Sequence, residues 1–202
     1  MAMDVASVAK ALERAVVGLR QVEQELNVAD GHLGDGDTGG MLRRLFERIA
    51  QDAPTEAPDL GAYFGAVAGT AAGATGSSLG TLVALGLSTM ARRLAGQSES
   101  SYATLGDHLL AAVEKMQAAG GASLGDKTVL DALEAVANAI KGEDDPATLG
   151  TKAVVAAQSA LDAFRPLRCK VGRARIYGEK SVGLDDPGML AVARLTDHLS
   201  RS

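Results

Sequence analysis

The sequence predicts an all-α protein, an eight-helix antiparallel up-and-down bundle or barrel that collects its chemistry at one end. Aromatic residues make up only 3% of the 202 residues and Trp is absent, while Ala, Leu and Gly abound. A core of this kind must be built from small and aliphatic side chains at close helix–helix approach. Apolar residues recur at helical spacing through most of the chain, and unusual composition is confined to a few connections between those stretches.

Residues 4–26 carry Val5, Val8, Leu12, Ala15, Leu19, Val22 and Leu26 on one helical face, with Glu13, Arg14 and Arg20 elsewhere. This first helix runs directly into an unusual stretch at 26–41. A second helix is expected from about 39 to 51, with Met41, Leu42, Leu45 and Ile49 inward, and its positive N-terminal end faces that stretch. Pro54 and Pro58 then break the chain. From Leu60 to Ala91 no residue is charged, which is long enough to raise a membrane span. Gly65, Gly69, Gly73, Gly76 and Gly80, with Thr70, Thr75, Ser77 and Ser78, make its middle polar and flexible instead. The stretch therefore predicts two buried helices, about 59–73 and 78–95. Gly65, Gly69 and Gly73 are expected to form a bare ridge for close helix packing. The Gly73–Ser78 turn either offers N–H groups and hydroxyls to a phosphate or sugar, or is a plain turn.

A fifth helix is expected at 102–119, with Leu105, Leu109, Val113 and Met116 inward. After the glycine-rich 120–128 loop, Asp126 is the expected N-cap of a sixth helix at about 127–141. Lys127 would be a phosphate ligand or an exposed first-turn residue. A seventh helix at 146–164 starts at Pro146 and buries Leu149, Val154 and Leu161. Residues 165–186 show no helix pattern yet carry Arg165, Arg168, Lys170, Arg173, Arg175 and Lys180. Long basic connections are often functional, and one facing an acidic loop would suit a polyphosphate. Asp186-Pro187-Gly188 then opens an eighth helix that runs to about His198.

The net charge of −5, the pI near 5.2 and the lack of any basic run argue against nucleic acid as a partner. A single cysteine, Cys169, excludes an intrachain disulfide, and the first residues have no apolar signal core. One domain spanning 1–202, in the cytoplasm and with no membrane association, is the expectation.

The stretch 26–41 interleaves Asp30, Asp35 and Asp37 with five glycines. Three carboxylates so close repel one another unless they are hydrated apart or neutralised by cations, and hard oxygen ligands suit Mg²⁺ or Ca²⁺. Gly34 to Gly39 satisfies G-x-G-x-x-G, but what precedes it is helical, and bare aspartates would repel a pyrophosphate. A calcium loop begun at Asp35 would have Phe46 where a bidentate Glu is required; one begun at Asp30 would have Met41 there. A Mg²⁺ loop that bridges carboxylates to phosphate oxygens is favoured over a solvated acidic turn.

Taken together, Asn27-x-x-Asp30, Gly34-Asp-Gly-Asp37-x-Gly39, Gly73-Ala-Thr-Gly76, Gly125-Asp-Lys-Thr-Val-Leu-Asp-Ala-Leu133, Gly172-Arg-Ala-Arg-Ile-Tyr-Gly-Glu-Lys-Ser-Val-Gly183 and Asp186-Pro-Gly188 resemble the nucleotide-binding L subunit of dihydroxyacetone kinase, over nearly the whole chain. The resemblance implies an eight-helix α-barrel in which Asp30, Asp35 and Asp37 hold two Mg²⁺ ions. It implies ADP or ATP among Thr38, Gly39, Gly40, Met41, Ala74, Thr75, Gly120, Val129, Arg173, Asp186, Pro187 and Gly188, with the aspartates and Arg173 as the catalytic group. It also implies transfer of a phosphoryl group to dihydroxyacetone, or a related small ketose, held by a separate K-type subunit. In members coupled to the phosphotransferase system of glycerol metabolism, an M-type phosphocarrier recharges a bound ADP, and a stand-alone chain of this length resembles that separate subunit. The family often has His where Thr38 stands and two serines where Ala74 and Thr75 stand. The alternatives are a non-catalytic nucleotide-binding regulatory module, an ATP-dependent kinase part for another small ketose or tetrose, and a nucleotide domain like that of fatty-acid kinases.

Overall fold

Every predicted helix forms in the computed structural model, which describes residues 2–201. They are α1 (Val5–Leu33), α2 (Thr38–Asp52), α3 (Leu60–Ala74), α4 (Ser78–Arg93), α5 (Leu105–Gly120), α6 (Val129–Ile140), α7 (Pro146–Phe164) and α8 (Pro187–Ser200). Side-chain caps start most of them. Asp4 and Ser7 form a capping box on α1, while Asp59, Ser77, Asp145 and Asp186 accept backbone N–H bonds at α3, α4, α7 and α8.

The ends differ from expectation in three places. Helix α1 continues seven residues past Leu26, so Asp30 stands in its final turns rather than in a loop. Helix α6 is capped by Thr128, whose hydroxyl accepts from the Leu130 N–H while the Asp131 carboxylate accepts from the Thr128 N–H. Asp126, the expected cap, instead accepts from the Ser123 N–H at 2.8 Å. Residues 102–104 are a 3-10 turn ahead of α5. Two short strands, β1 (Ala2–Asp4) and β2 (Glu99–Ser101), pair antiparallel with Met3 opposite Ser100. At three residues each they are too short to show an alternating pattern in the sequence.

Each helix packs against its neighbours in sequence, and α1 packs against α8, so the ring closes. Its interior is as aliphatic as the composition requires: Leu19, Leu26, Ala132, Ala157 and Met189 are completely buried, with Ala153, Ala160, Ala191 and Ala193 close behind. Because successive helices alternate in direction, the connections 34–37, 75–77, 121–128 and 165–186 all lie at the same end. Among the described residues no helix is long and apolar enough to cross a membrane.

The expected glycine ridge faces outward. A Cβ at Gly69 or Gly73 would meet nothing within 4 Å, and one at Gly65 would only touch the Ala91 methyl. The bulk of Leu60, Tyr63, Phe64, Val67 and Ala71 decides which side of α3 turns inward, leaving the glycine stripe at the surface. Close approach occurs instead at Gly61, where a Cβ would lie 2.5 Å from the Ala95 Cα and 2.8 Å from the Ala91 carbonyl oxygen.

These environments predict opposite effects of one substitution. Gly61→Ala should destabilise the fold by about 2 kcal/mol, since its methyl presses on backbone, whereas Gly69→Ala should stabilise it by up to ~1 kcal/mol through helix propensity. Urea unfolding followed by circular dichroism measures both; equal effects would contradict the packing described.

Candidate functional site

The end that gathers these connections also gathers the N-termini of α2, α4, α6 and α8, whose cap positions are Asp37, Ser77, Thr128 and Asp186. Four partial positive charges converge there. Against them stands the aspartate cluster. Asp30 is buried, and its Oδ2 accepts the N–H groups of Asp37 (2.9 Å) and Thr38 (3.2 Å), which folds the 34–37 turn back over the end of α1. Two glycines make that fold possible. A Cβ at Gly34 would lie 2.4 Å from Asp30 Oδ1, and Gly36 adopts φ 79°. Asp37 occupies the N-cap position of α2 yet makes no cap hydrogen bond, so its carboxylate stays uncommitted.

One carboxylate oxygen from each of Asp30, Asp35 and Asp37 lies within 4.8 Å of the other two. Oxygens on one Mg²⁺ ion at ~2.1 Å stand at most about 4.2 Å apart, so small side-chain adjustments suffice to bring these three onto a shared cation. The donor set, all hard oxygen, fits Mg²⁺. The Arg173 guanidinium forms an ion pair with Asp35, placing a positive charge against the cluster.

The remaining expected residues border the same end. Thr38, Gly39, Gly40 and Met41 form the first turn of α2. A Cβ at Gly39 would lie 2.1 Å from the Glu23 carbonyl oxygen, and Asn27 Oδ1 accepts the Gly40 N–H, so this glycine pair lets α2 press on α1. Two amides of α2 are thereby taken by Asp30 and Asn27, and the helix end offers a phosphate fewer donors than the sequence implied. Ala74 ends α3 and is exposed. The Thr75 hydroxyl accepts the Ser77 N–H at 3.2 Å, tying the turn to α4. Gly120 ends α5, ahead of Gly121 in the left-handed region. Val129 begins α6 and lies close to Gly188 in the first turn of α8, where a Cβ would come 3.0 Å from the Val129 Cβ. Among the described residues, Arg173 bonds directly to the aspartate cluster, while no hydrogen bond joins Ala74, Thr75, Gly120 or Val129 to it.

Both expectations for Lys127 are corrected. It is only 1% exposed, and its ammonium donates to the backbone carbonyls of Arg165 (3.1 Å), Leu167 (2.7 Å) and Ser181 (2.9 Å). Burial pulls its pKa below the ordinary lysine value. The 165–186 connection is likewise not structureless, since Arg173–Ser181 forms a 3-10 segment kinked at Gly178. Of its basic residues, Arg165 pairs with Asp162 and Asp185, Arg168 with Glu179, and Lys170 with Asp126, so it is Arg173 that reaches the cluster. Tyr177, which the sequence did not single out, donates to the Gly34 carbonyl at 3.4 Å. His32 is exposed beside the cluster. His108 is buried, accepts from Arg93 Nε at 2.8 Å and serves structure.

Residues 32–201 match the profile of the DAK2 domain. The chain is 34% identical over 190 residues to the L-erythrulose 1-kinase of Mycolicibacterium smegmatis, covering 89% of this chain and 33% of that one. It is 29% identical over 191 residues to triokinase/FMN cyclase of Homo sapiens, covering 91% and 33%. In fold it resembles the dihydroxyacetone kinase of C. freundii crystallised with AMP-PNP and Mg²⁺, with a TM-score of 0.75 and 24% identity across 99% of this chain and 34% of that one. The chain spans about a third of the length of the curated relatives it matches.

Burial pushes the Asp186 carboxyl up to about 6, with the nearby Asp131 adding to the rise and the N–H groups of Met189 and Gly188 and the Lys127 ammonium opposing it. The native state therefore holds this proton over a pH range in which the unfolded chain has lost it, so this group's contribution to stability falls as pH rises from about 4 to about 6. Asp186→Asn should remove that fall, worth about 3 kcal/mol for a shift of about two units. Urea unfolding of both proteins at pH 4, 5, 6 and 7 checks it; a constant difference across the series would refute the assignment.

Proposed function

The chain belongs to the DAK2 domain family, and from that membership we propose that it is the nucleotide-binding part of a kinase, holding Mg²⁺ and ADP or ATP for phosphoryl transfer to a small ketose. The observation that carries this reading is the convergence of three carboxylate oxygens within 4.8 Å at the end where four helix N-termini meet. Carboxylates alone would repel a polyphosphate and helix ends alone would attract one. The two belong together where a divalent cation sits between them.

Asp30, Asp35 and Asp37 hold the cation in this proposal, in a site that takes two ions if the resemblance carries over. When bound, Mg²⁺ neutralises the polyphosphate and polarises the transferred phosphoryl group. Arg173 moves from Asp35 to the phosphoryl oxygens and stabilises their charge during transfer. Thr38, Thr75, Gly120, Val129 and the Asp186–Gly188 turn surround the nucleotide. The AMP-PNP and Mg²⁺ held by a protein of like fold support the ligand, and kinases acting on erythrulose among the relatives favour a ketose of three or four carbons, dihydroxyacetone or a tetrulose.

The ketose requires a separate holder. A small neutral ketone offers few handles and must be fixed in line with the phosphoryl group, and the loops at this end, His32 among them, are already assigned to metal and nucleotide. His108 is engaged with Arg93 and Thr104, and His198 packs on Gly18. Ile176, 78% exposed, together with the exposed side chains of Leu124, Leu167 and Val182, gives this end an apolar rim suited to a docking protein unit. A K-type substrate-binding unit fits, either as a partner or as another part of a longer chain.

Asp35→Asn and Asp37→Asn should each abolish Mg²⁺-dependent binding of ADP while leaving helix content intact, because both side chains lie outside the core. Calorimetry reads the affinity, and unchanged binding in both variants would remove the metal assignment. Saturating Mg-ADP should stabilise the native protein by ~4 kcal/mol at a thousandfold excess over its Kd.

The chain alone, given Mg-ATP and dihydroxyacetone or erythrulose, should make no phosphorylated product, and a substrate-binding unit should restore turnover. Turnover that also demands a phosphocarrier would mark ADP as a prosthetic group. Sustained turnover by the chain alone would refute the division of labour, and nucleotide binding without turnover under any combination would favour a regulatory module.

A further inference from the structure

Lys127 is a buried cation, and among the described residues no carboxylate forms an ion pair with it. All three of its N–H donors go to backbone carbonyls, two at the start of the 165–183 segment (Arg165 and Leu167) and one at its end (Ser181). A single ammonium therefore ties both ends of the segment to the entrance of α6. Lys127 also has φ 63°, the only positive φ outside glycine among the described residues, so its backbone takes up a disfavoured conformation to deliver the side chain inward. Further ties run alongside: the Gly183 N–H donates to the Arg165 carbonyl, the Cys169 N–H to Ser181 Oγ, and Lys170 Nζ to the Gly125 carbonyl. Between the tied ends the segment projects Arg173 onto Asp35 and Tyr177 onto Gly34.

We infer that Lys127 is a positioning residue, which fixes the 165–183 strap so that Arg173 stands over the aspartate cluster. Lysine suits this task because three carbonyls converge, two of which (Arg165 and Ser181) accept one backbone N–H each, from Gly183 and Leu184, and an ammonium presents three donors from one point to the acceptor capacity that remains. The inference rests on the proposed nucleotide site for its functional consequence, and on the strap contacts alone for its structural one.

The test compares Lys127→Met, Arg173→Ala and the double variant in the full chain. Hydrogen exchange without ligand should speed up at least tenfold for amides 168–182 in Lys127→Met and stay unchanged in α1 to α4. Arg173→Ala should weaken Mg-ADP binding about tenfold, the loss expected for one charge-assisted contact. Lys127→Met should weaken it similarly, and the double variant should be no weaker than Arg173→Ala, because a displaced Arg173 has nothing left to lose. Unchanged exchange in the strap would overturn the proposal, as would losses that multiply to about a hundredfold. If even the unmodified chain binds no Mg-ADP, the nucleotide reading fails, and the exchange result still decides the role of Lys127. Should Lys127→Met not fold, Lys127→Gln, which keeps a single donor, is measured in the same way.

Discussion

Closure of the helix ring between α1 and α8 is the constraint from which the rest of the arrangement follows. The contact is built for proximity: a Cβ at Gly18 would lie 2.8 Å from the His198 ring, and Arg194 holds Glu25 through both Nε and Nη2 at 2.7 to 3.0 Å. With the ring closed and directions alternating, every odd-numbered helix ends, and every even-numbered helix begins, at the same rim. The loops of the candidate site need no long-range recognition of their own, because topology delivers them together.

That rim is a balance of opposed charges. The helix N-termini contribute partial positive charge, and the turn after α1 sets three carboxylates among them. Asp30 serves both sides: one oxygen closes the turn through two backbone N–H bonds, and its other oxygen lies beside Gly34, where no side chain fits. The ion pair between Arg173 and Asp35 gives the cluster partial neutralisation by a side chain that is exposed and so able to reorient. It contributes little stability of its own, since exposed pairs are screened. Its value lies in where the charge is kept.

The strap over the rim inverts the usual division between core and loop. Its centre is exposed, Arg173 and Ile176 alike, yet it is anchored by one of the most deeply buried side chains in the protein, a lysine. A buried ammonium with no carboxylate in direct contact is tolerable because its three donors are satisfied by carbonyl dipoles and the Asp185 and Asp186 charges lie nearby. The strap can therefore be ordered at its ends while its middle stays in contact with solvent.

The sequence by itself determined the helices and the aspartate cluster. Helical period and proline breaks located eight helices to within a few residues except at the end of α1, and the crowding of Asp30, Asp35 and Asp37 with glycines marked these three carboxylates as one cluster and a candidate cation site, because both signals are local in the chain. What only the tertiary structure decided are the features that depend on which residues from distant segments meet. Gly65, Gly69 and Gly73 looked like a packing ridge but face outward, because bulk on the opposite side of α3 fixed its rotation. Asp126 yielded the cap of α6 to Thr128, because Lys127 turns through positive φ to send its side chain inward. Lys127 itself offers no periodic signal: its partners lie 38 to 54 residues away, and a three-carbonyl socket made by a returning loop exists only once the segment after α7 has folded back to the start of α6.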